Sequence, residues 1–250
     1  MKKIIRRLLT LILLVILGFS SYQLYKEFRT GQQEKEALEE VQTVVDVKNG
    51  QVTSAITKDK VLKLKEINSD IIGYLQFDSG IISEPVVQTN DNFYYLTRDV
   101  NKAYNDFGTV FMNDKNTLAD KNLILYGHSG SAYQSQKFSN LNDMVNNYDY
   151  YSKNSKFKLY TENDIREYEI SYVIANSNPE AFNHQIQNFT ESEFNEWIAY
   201  AKQHTTVTPI QQIEYKDNFI TLQTCLHGDD KTKVIVIAKE IGRTNYQQGE

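Results

Sequence analysis

The feature that most constrains the fold is a series of eight short apolar segments that predict β-strands. Turn residues, such as Asp78-Ser79-Gly80 and Glu162-Asn163-Asp164, separate several of them. The predicted strands are residues 71–77, 81–88, 108–112, 123–126, 157–161, 165–175, 219–225 and 233–241. Few helices lie between them, so we expect a mainly β fold built as one antiparallel or mixed barrel.

One helix interrupts the later strands. Thr190 and Glu193 have the spacing of a capping box, and apolar residues recur on one helical face behind them. This pattern predicts a helix over residues 191–204 whose apolar face covers part of the barrel.

Residues 1–25 are predicted to form a membrane anchor. Four basic residues within the first seven precede an apolar stretch, and residues 4–25 are long enough to span a bilayer. Positive charge before such a helix predicts a cytoplasmic N-terminus and an extracellular remainder. A cleaved signal peptide is the alternative. No Ala-x-Ala-like site follows the apolar stretch, which favours an uncleaved single-pass anchor in the cell membrane.

The rest of the chain divides into two parts. Residues 26–57 are predicted to form a stalk helix and a linker, because Leu38, Val41 and Val45 recur in helical spacing before a polar stretch. Residues 58–250 form the predicted globular domain. The net charge is −5 and no basic patch follows the first residues, which argues against nucleic acid as a partner.

A lone cysteine and a distant histidine are the candidate catalytic pair. Cys225 is the only cysteine in the chain and ends a predicted strand, and His128 follows another. Free thiols oxidise outside the cell, so an unpaired cysteine there indicates a function. The alternative is that Cys225 is a small buried apolar residue. We favour a thiol nucleophile with an acid/base partner.

The motifs around these residues resemble those of the sortases, and among them class B. The two catalytic signatures are Tyr126-Gly127-His128 and Thr221-Leu222-Gln223-Thr224-Cys225. The features similar to class B are Asn68-x-Asp70-Ile71-x-Gly73-Tyr74-Leu75, Pro85-Val86-Val87-Gln88, Asp91-Asn92-Phe93-Tyr94-Tyr95-Leu96, Gly108-Thr109-Val110-Phe111-Met112 and Phe138-x-x-Leu141.

The resemblance implies a sortase-type eight-stranded barrel with N-terminal helices and a helix before the cysteine strand. It also implies a transpeptidase that cuts a C-terminal sorting motif of surface proteins after threonine, through a thioester on Cys225. The class B motif is similar to Asn-Pro-Gln-Thr-Asn (NPQTN-like), and the acceptor is an amine of the peptidoglycan crossbridge. No metal or organic cofactor is implied.

The third family residue is an arginine at the start of the strand that follows the cysteine, and here the chain departs from the family. Lys233 occupies the matching position. Lysine keeps the charge and loses the planar fork of donors, so the exchange is not conservative. We expect Lys233 to take the role, with Lys231 or Arg98 as alternatives.

Further expectations concern the neighbours of these residues. By family resemblance, Tyr126 walls the substrate groove and Asn92 bonds the motif backbone, and Thr224 is expected to bond substrate or the oxyanion. The other histidines, His184, His204 and His227, are expected to be solvated.

Two alternative functions, from other classes of protein, stay open. One is a catalytically impaired surface-binding protein on a sortase scaffold, and the other is a hydrolytic thiol peptidase.

Overall fold

The computed structural model describes residues 2–48, 50–130, 137–178 and 182–246. The α-helices in these ranges are Lys2–Val44 (α1), Lys58–Ile67 (α2), Tyr148–Lys153 (α3) and Glu191–His204 (α4), with 3-10 helices at Tyr94–Thr97 and Ser139–Met144. The strands are Val47–Lys48 (β1), Gln51–Val52 (β2), Ile71–Phe77 (β3), Ser83–Val87 (β4), Phe111–Met112 (β5), Asn122–Tyr126 (β6), Lys156–Thr161 (β7), Asp164–Asn176 (β8), Phe219–Leu226 (β9) and Asp229–Asn245 (β10).

Strands β3 to β10 close into a barrel in the order β10-β8-β7-β3-β4-β5-β6-β9. Neighbours are antiparallel except for the parallel pairs β4–β5 and β6–β9. Closure gives every strand of the barrel a neighbour on both sides, which removes the exposed edges that an open sheet would have. The expectation of a mainly β fold with an eight-stranded mixed barrel is confirmed.

Apolar side chains fill the barrel. In β7 every second residue is buried, which is the alternation expected of a strand with one face on a core. The ring of Phe157 stacks on Phe77 on one side and on Tyr168 on the other, with centroid distances of 4.6 and 5.3 Å. Burial of each such side chain contributes roughly 1.5–3 kcal/mol.

Helix α4 begins at the predicted capping box. The Thr190 hydroxyl accepts from the Glu193 amide, and the Glu193 carboxylate accepts from the Thr190 amide. The buried face of α4 carries Trp197, whose ring lies 5.2 Å from that of Phe219 in β9 and 5.3 Å from that of Phe189. The helix therefore packs against the outer face of the strand that bears the cysteine.

Helix α1 is one continuous helix of 43 residues. Its first part is apolar and exposed, and by length and composition the helix over Lys3–Val44 can cross a membrane. A rise of about 1.5 Å per residue lets 20 of these residues cover a hydrocarbon core of roughly 30 Å.

The last part of α1 packs against the barrel. Leu38, Val41 and Val45 are buried in one cluster with Leu64 of α2 and Tyr74 of β3. The apolar positions of the predicted stalk helix therefore contact the domain. The boundaries after residues 25 and 57 remain predictions.

We expect Gly73→Ala to destabilise the protein. A Cβ at Gly73 would lie 2.5 Å from the backbone carbonyl oxygen of Tyr160 in the neighbouring strand β7. Strand β7 cannot retreat without losing ladder hydrogen bonds, so overpacking should cost about 1–3 kcal/mol. Gly31→Ala in α1 is the control, because a Cβ added at Gly31 would meet nothing within 4 Å. Thermal unfolding followed by circular dichroism measures the melting temperatures of both variants and of the wild type. A Gly73→Ala protein that melts at the wild-type temperature would contradict the expectation.

Candidate active site

The parallel pair β6–β9 brings the two catalytic signatures together. Tyr126 lies opposite Gln223 in the register of this pair. His128 lies two residues beyond Tyr126, and Cys225 lies two residues beyond Gln223. Both residues therefore leave the same end of the barrel, although they are distant in sequence.

Lys233 in β10 lies directly opposite Cys225 in β9 in the register of this antiparallel pair. Its Nζ is 3.1 Å from the Cys225 Sγ and donates a second hydrogen bond of 2.7 Å to the carbonyl oxygen of Asp230. The ammonium is thus held against the half-buried thiol from the opposite strand.

The imidazole of His128 is half-buried beside the 3-10 helix Tyr94–Thr97. Its Nε2 lies 2.7 Å from the carbonyl oxygen of Leu96. A carbonyl oxygen only accepts, so Nε2 carries the hydrogen and Nδ1 is the ring nitrogen that remains to exchange a proton.

His128, Cys225 and Lys233 line one cleft of about 390 Å³. Its remaining lining residues are Asn92, Phe93, Leu96, Phe111, Tyr126, Gly127, Gln185, Gln223 and Thr224. An extended peptide segment fits an open groove with one apolar wall and a few convergent polar groups.

Tyr126 and Asn92 reach this cleft, and each is fixed by a neighbour. The Tyr126 hydroxyl accepts from the Asn113 amide at 2.9 Å, and burial raises the pKa of the Tyr126 phenol. The Asn92 side chain exchanges two hydrogen bonds of 2.7 Å with Asp114, one to its carboxylate and one from its amide. Both side chains are therefore rigid parts of the wall.

Thr224 differs from its neighbours in orientation. Strand alternation places its side chain on the face opposite to that of Cys225, together with Leu222 of the barrel core. Its hydroxyl is buried and has no hydrogen-bond partner among the described residues. A contact from Thr224 to substrate would therefore come from its backbone.

The alternative cations do not line the cleft. Arg98 lies over the ring of Tyr94 at 4.8 Å and donates to the Lys102 carbonyl oxygen at 3.2 Å. Lys231 is exposed. Of the three candidates, Lys233 is the cation at the thiol.

Asn142 also lies at the site, although the sequence motifs did not identify it. Its amide donates to the Cys225 carbonyl oxygen at 3.3 Å and to the Ser129 hydroxyl at 3.2 Å, and its oxygen accepts from the His227 amide at 2.9 Å. Asn142 therefore ties the segment after the cysteine strand to the segment after His128. It follows the quoted motif Phe138-x-x-Leu141 directly, and this position was the available signal.

The expectation for the other histidines is wrong for His184. His204 and His227 are exposed, but His184 is buried and its Nε2 bonds the side-chain oxygen of Gln223. Its position in a loop hid this contact, since α4 and the barrel cover that loop. Within the described ranges, no group of three or more His, Cys, Asp or Glu side chains has the arrangement of a metal site.

A cysteine and a histidine at the mouth of a closed mixed barrel define a thiol-dependent acyl-transfer enzyme. The sortase domain model matches residues 78–241, about two thirds of the chain. The chain therefore belongs to the sortase family.

The relatives narrow this to class B. Sortase B of Listeria monocytogenes is 25% identical over 229 residues, which cover 90% of this chain and 91% of that protein. Sortase B of Staphylococcus aureus is 23% identical over 240 residues, which cover 94% and 95%. A crystal structure of Sortase B complexed with triglycine has a TM-score of 0.73 at 20% identity and covers 85% of this chain and 100% of its own. The resemblance to class B is confirmed, and the protein is a sortase-type cysteine transpeptidase.

We expect His184 to make the stability depend on pH. Burial lowers the pKa of His184 below its ordinary value of 6.5, although the bond to Gln223 opposes the shift. Below pH 6.5 the unfolded chain therefore binds the proton first, and stability falls by at most about 1.4 kcal/mol per pH unit for one proton. Chemical denaturation between pH 8 and pH 5 measures this loss.

His184→Gln should reduce the acid-side loss, whereas His204→Gln at an exposed position should leave it unchanged. Identical pH dependence in all three proteins would assign the loss to other groups.

Proposed function

We propose that this transpeptidase cleaves a C-terminal sorting motif after its threonine through a thioester on Cys225, and passes the acyl group to a cell-wall amine. The observation that carries the proposal is the 3.1 Å contact between Lys233 Nζ and Cys225 Sγ in a cleft that His128 also lines. A nucleophile, a proton-transfer group and a cation are the groups that acyl transfer to and from a thiol requires.

In the first half-reaction, Cys225 starts as the thiolate and His128 carries a proton on both ring nitrogens, and Sγ attacks the threonine carbonyl carbon of the motif. The tetrahedral intermediate collapses as His128 gives a proton to the leaving amine, and the C–N bond breaks. The product is a Cys225 thioester of the N-terminal fragment. A positioned acid or base of this kind typically contributes 10²–10⁴-fold in rate.

In the second half-reaction, an acceptor amine attacks the thioester. His128 takes a proton from the amine, the C–S bond breaks, and Cys225 leaves as the thiolate. One amide is exchanged for another, so the cycle is redox-neutral and needs no cofactor. The Sortase B solved with triglycine supports an amine acceptor, for which we propose an amino group of the peptidoglycan crossbridge.

Lys233 is the proposed cationic group at the reacting carbonyl. Its ammonium at the Sγ atom lies where negative charge develops on the thiolate and on the oxyanion of the intermediate. It keeps the charge of the family arginine but presents a point donor in place of a bidentate fork.

The proposed substrates are surface proteins with an NPQTN-like motif. Asn92 and Tyr126, fixed by Asp114 and Asn113, are the proposed contacts to the motif, and the backbone of Thr224 completes the wall. The exposed Phe93 ring at the rim adds apolar surface.

The proposed topology places the substrate and the enzyme in the same membrane. Basic residues before the apolar part of α1 favour a cytoplasmic N-terminus, so the barrel lies outside. A protein whose sorting motif precedes its own C-terminal apolar span then presents the motif on the same side as the cleft.

Trapping the thioester tests the function. Full-length protein in detergent micelles is mixed with an NPQTN-like peptide, and intact-mass spectrometry should detect the enzyme increased by the N-terminal fragment. Triglycine should discharge the adduct and yield the fragment–triglycine amide. Cys225→Ala should form no adduct and should cleave no peptide.

Discharge to the free acid alone in the presence of triglycine would favour the hydrolytic peptidase. Peptide binding without an adduct would favour the surface-binding protein.

Substitution of Lys233 tests the departure from the family. Lys233→Ala should lower kcat/KM by about 10²–10³-fold, the usual effect of removing one oxyanion donor. Lys233→Arg should retain or raise activity, because the guanidinium can bond two acceptors at once. Lys231→Ala is the matched control on the same strand. Near-wild-type turnover by Lys233→Ala, with folding verified by circular dichroism, would exclude the proposed role.

A further inference from the structure

Three charged side chains are buried together behind the His128 segment. The Lys137 ammonium contacts the Glu34 carboxylate of α1 and lies 3.1 Å from the Glu84 carboxylate of β4. The side chains of Lys137, Glu34 and Glu84 are 1%, 2% and 10% exposed. The proposed reaction uses none of the three.

Burial of this cluster is unfavourable unless every charge has a partner. Burial raises the pKa of the Glu84 carboxyl, although Lys137 opposes the shift. Burial alone would lower the pKa of the Lys137 ammonium, but the attraction of Glu84 and Glu34 outweighs it and the pKa is raised. Loss of either carboxylate therefore leaves Lys137 under-compensated, and loss of Lys137 leaves two carboxylates facing each other.

The cluster reaches the backbone of His128 through Lys137. Lys137 pairs with Ser129 in an isolated antiparallel bridge, and the next amide, that of Phe138, donates to the His128 carbonyl oxygen at 3.1 Å. Lys137 holds a left-handed φ of 51°, which costs free energy for a residue with a Cβ. Its buried ion pairs offset that cost and keep the segment against His128.

The cluster reaches the imidazole of His128 by a second route. Asn105 donates from its side chain to the other Glu34 oxygen at 3.0 Å and from its backbone to the Thr97 carbonyl oxygen at 3.0 Å. Thr97 follows Leu96, whose carbonyl oxygen binds His128 Nε2. Glu34 therefore contacts both Lys137, which is linked to the His128 backbone, and Asn105, which is linked to the His128 imidazole.

We propose that Glu34 is a positioning residue for His128, so that docking of the membrane-anchoring helix completes the active site. Without the Glu34 carboxylate, Lys137 and Asn105 each lose their link to α1, and the two segments that hold the imidazole loosen together. The proposal rests on the role of His128 in the proposed function, and its test includes a readout that needs no turnover.

The test compares Glu34→Gln and Glu34→Ala with Glu40→Gln. Glu40 lies on the same helix and is exposed, so it controls for charge and helix effects. Glutamine keeps one acceptor oxygen for Lys137 or Asn105, whereas alanine keeps none. Full-length proteins in micelles are assayed with a soluble sorting-motif peptide for kcat, KM and the pH profile of kcat/KM. The imidazole resonances are recorded by NMR, and His128→Gln assigns the His128 signal.

We expect Glu34→Ala to lower kcat by about tenfold to 10²-fold, the scale of a misplaced catalytic group, with KM nearly unchanged. Glu34→Gln should lie between wild type and Glu34→Ala, and Glu40→Gln should match wild type. The His128 resonance should move in Glu34→Ala, whereas the His204 resonance should not.

A Glu34→Ala protein that melts at a lower temperature but keeps the wild-type His128 resonance, kcat and pH profile of kcat/KM would overturn the proposal and leave Glu34 a purely structural role. Failure of the proposed function is distinguishable, because wild type would then turn over no peptide. The His128 resonance would still show whether Glu34 positions the imidazole: an unmoved signal would overturn the inference and a moved one would support it.

Discussion

The parallel pairing of β6 with β9 is the interaction on which the site depends. It places Tyr126 opposite Gln223, so the two strands leave the barrel at one level and carry the candidate catalytic residues with them. Parallel neighbours need a long crossover, and here that crossover supplies α3, β7, β8 and α4. The strands on either side of this pair complete the site. Strand β10 covers the other edge of β9 and brings Lys233 to the thiol, and β5 borders β6 on the cleft side.

Much of the fold could be predicted because most barrel strands are apolar runs between turn signals. Strand β3 and helix α4 begin and end where their patterns predict. The predictions failed where pairing, rather than composition, decides. Strand β10 continues through polar residues to Asn245 because β8 pairs with it as far as that residue, and β5 shortens to two residues because only Phe111 and Met112 meet their neighbours. Strand order was also beyond the sequence, since closure joins segments that are distant in the chain.

The residues of the candidate site show the same difference between a local sequence pattern and long-range packing. Cys225, His128 and Lys233 could be found because each lies in a motif or at a strand end. His184 and Glu34 could not, because a buried polar residue far from its partner has no local signature. Glu34 and Lys137 are separated by 103 positions, and nothing near either residue indicates a buried ion pair. Such contacts become visible only when the packing of α1 against the barrel is known.

Lysine at the position where the resemblance implies an arginine changes how the cation beside the thiol is oriented. A guanidinium is planar and presents five donors in a fixed fork, whereas an ammonium rotates on a flexible stem. Here the register of β9 and β10 shifts between Asp229 and Lys233, and the irregular segment brings the Asp230 carbonyl oxygen within 2.7 Å of the ammonium. The backbone thus fixes one donor and a second faces Sγ, and in the proposed mechanism the third donates to a substrate oxygen. The backbone therefore orients the lysine ammonium, whereas an arginine guanidinium has its donors fixed by its own planar geometry.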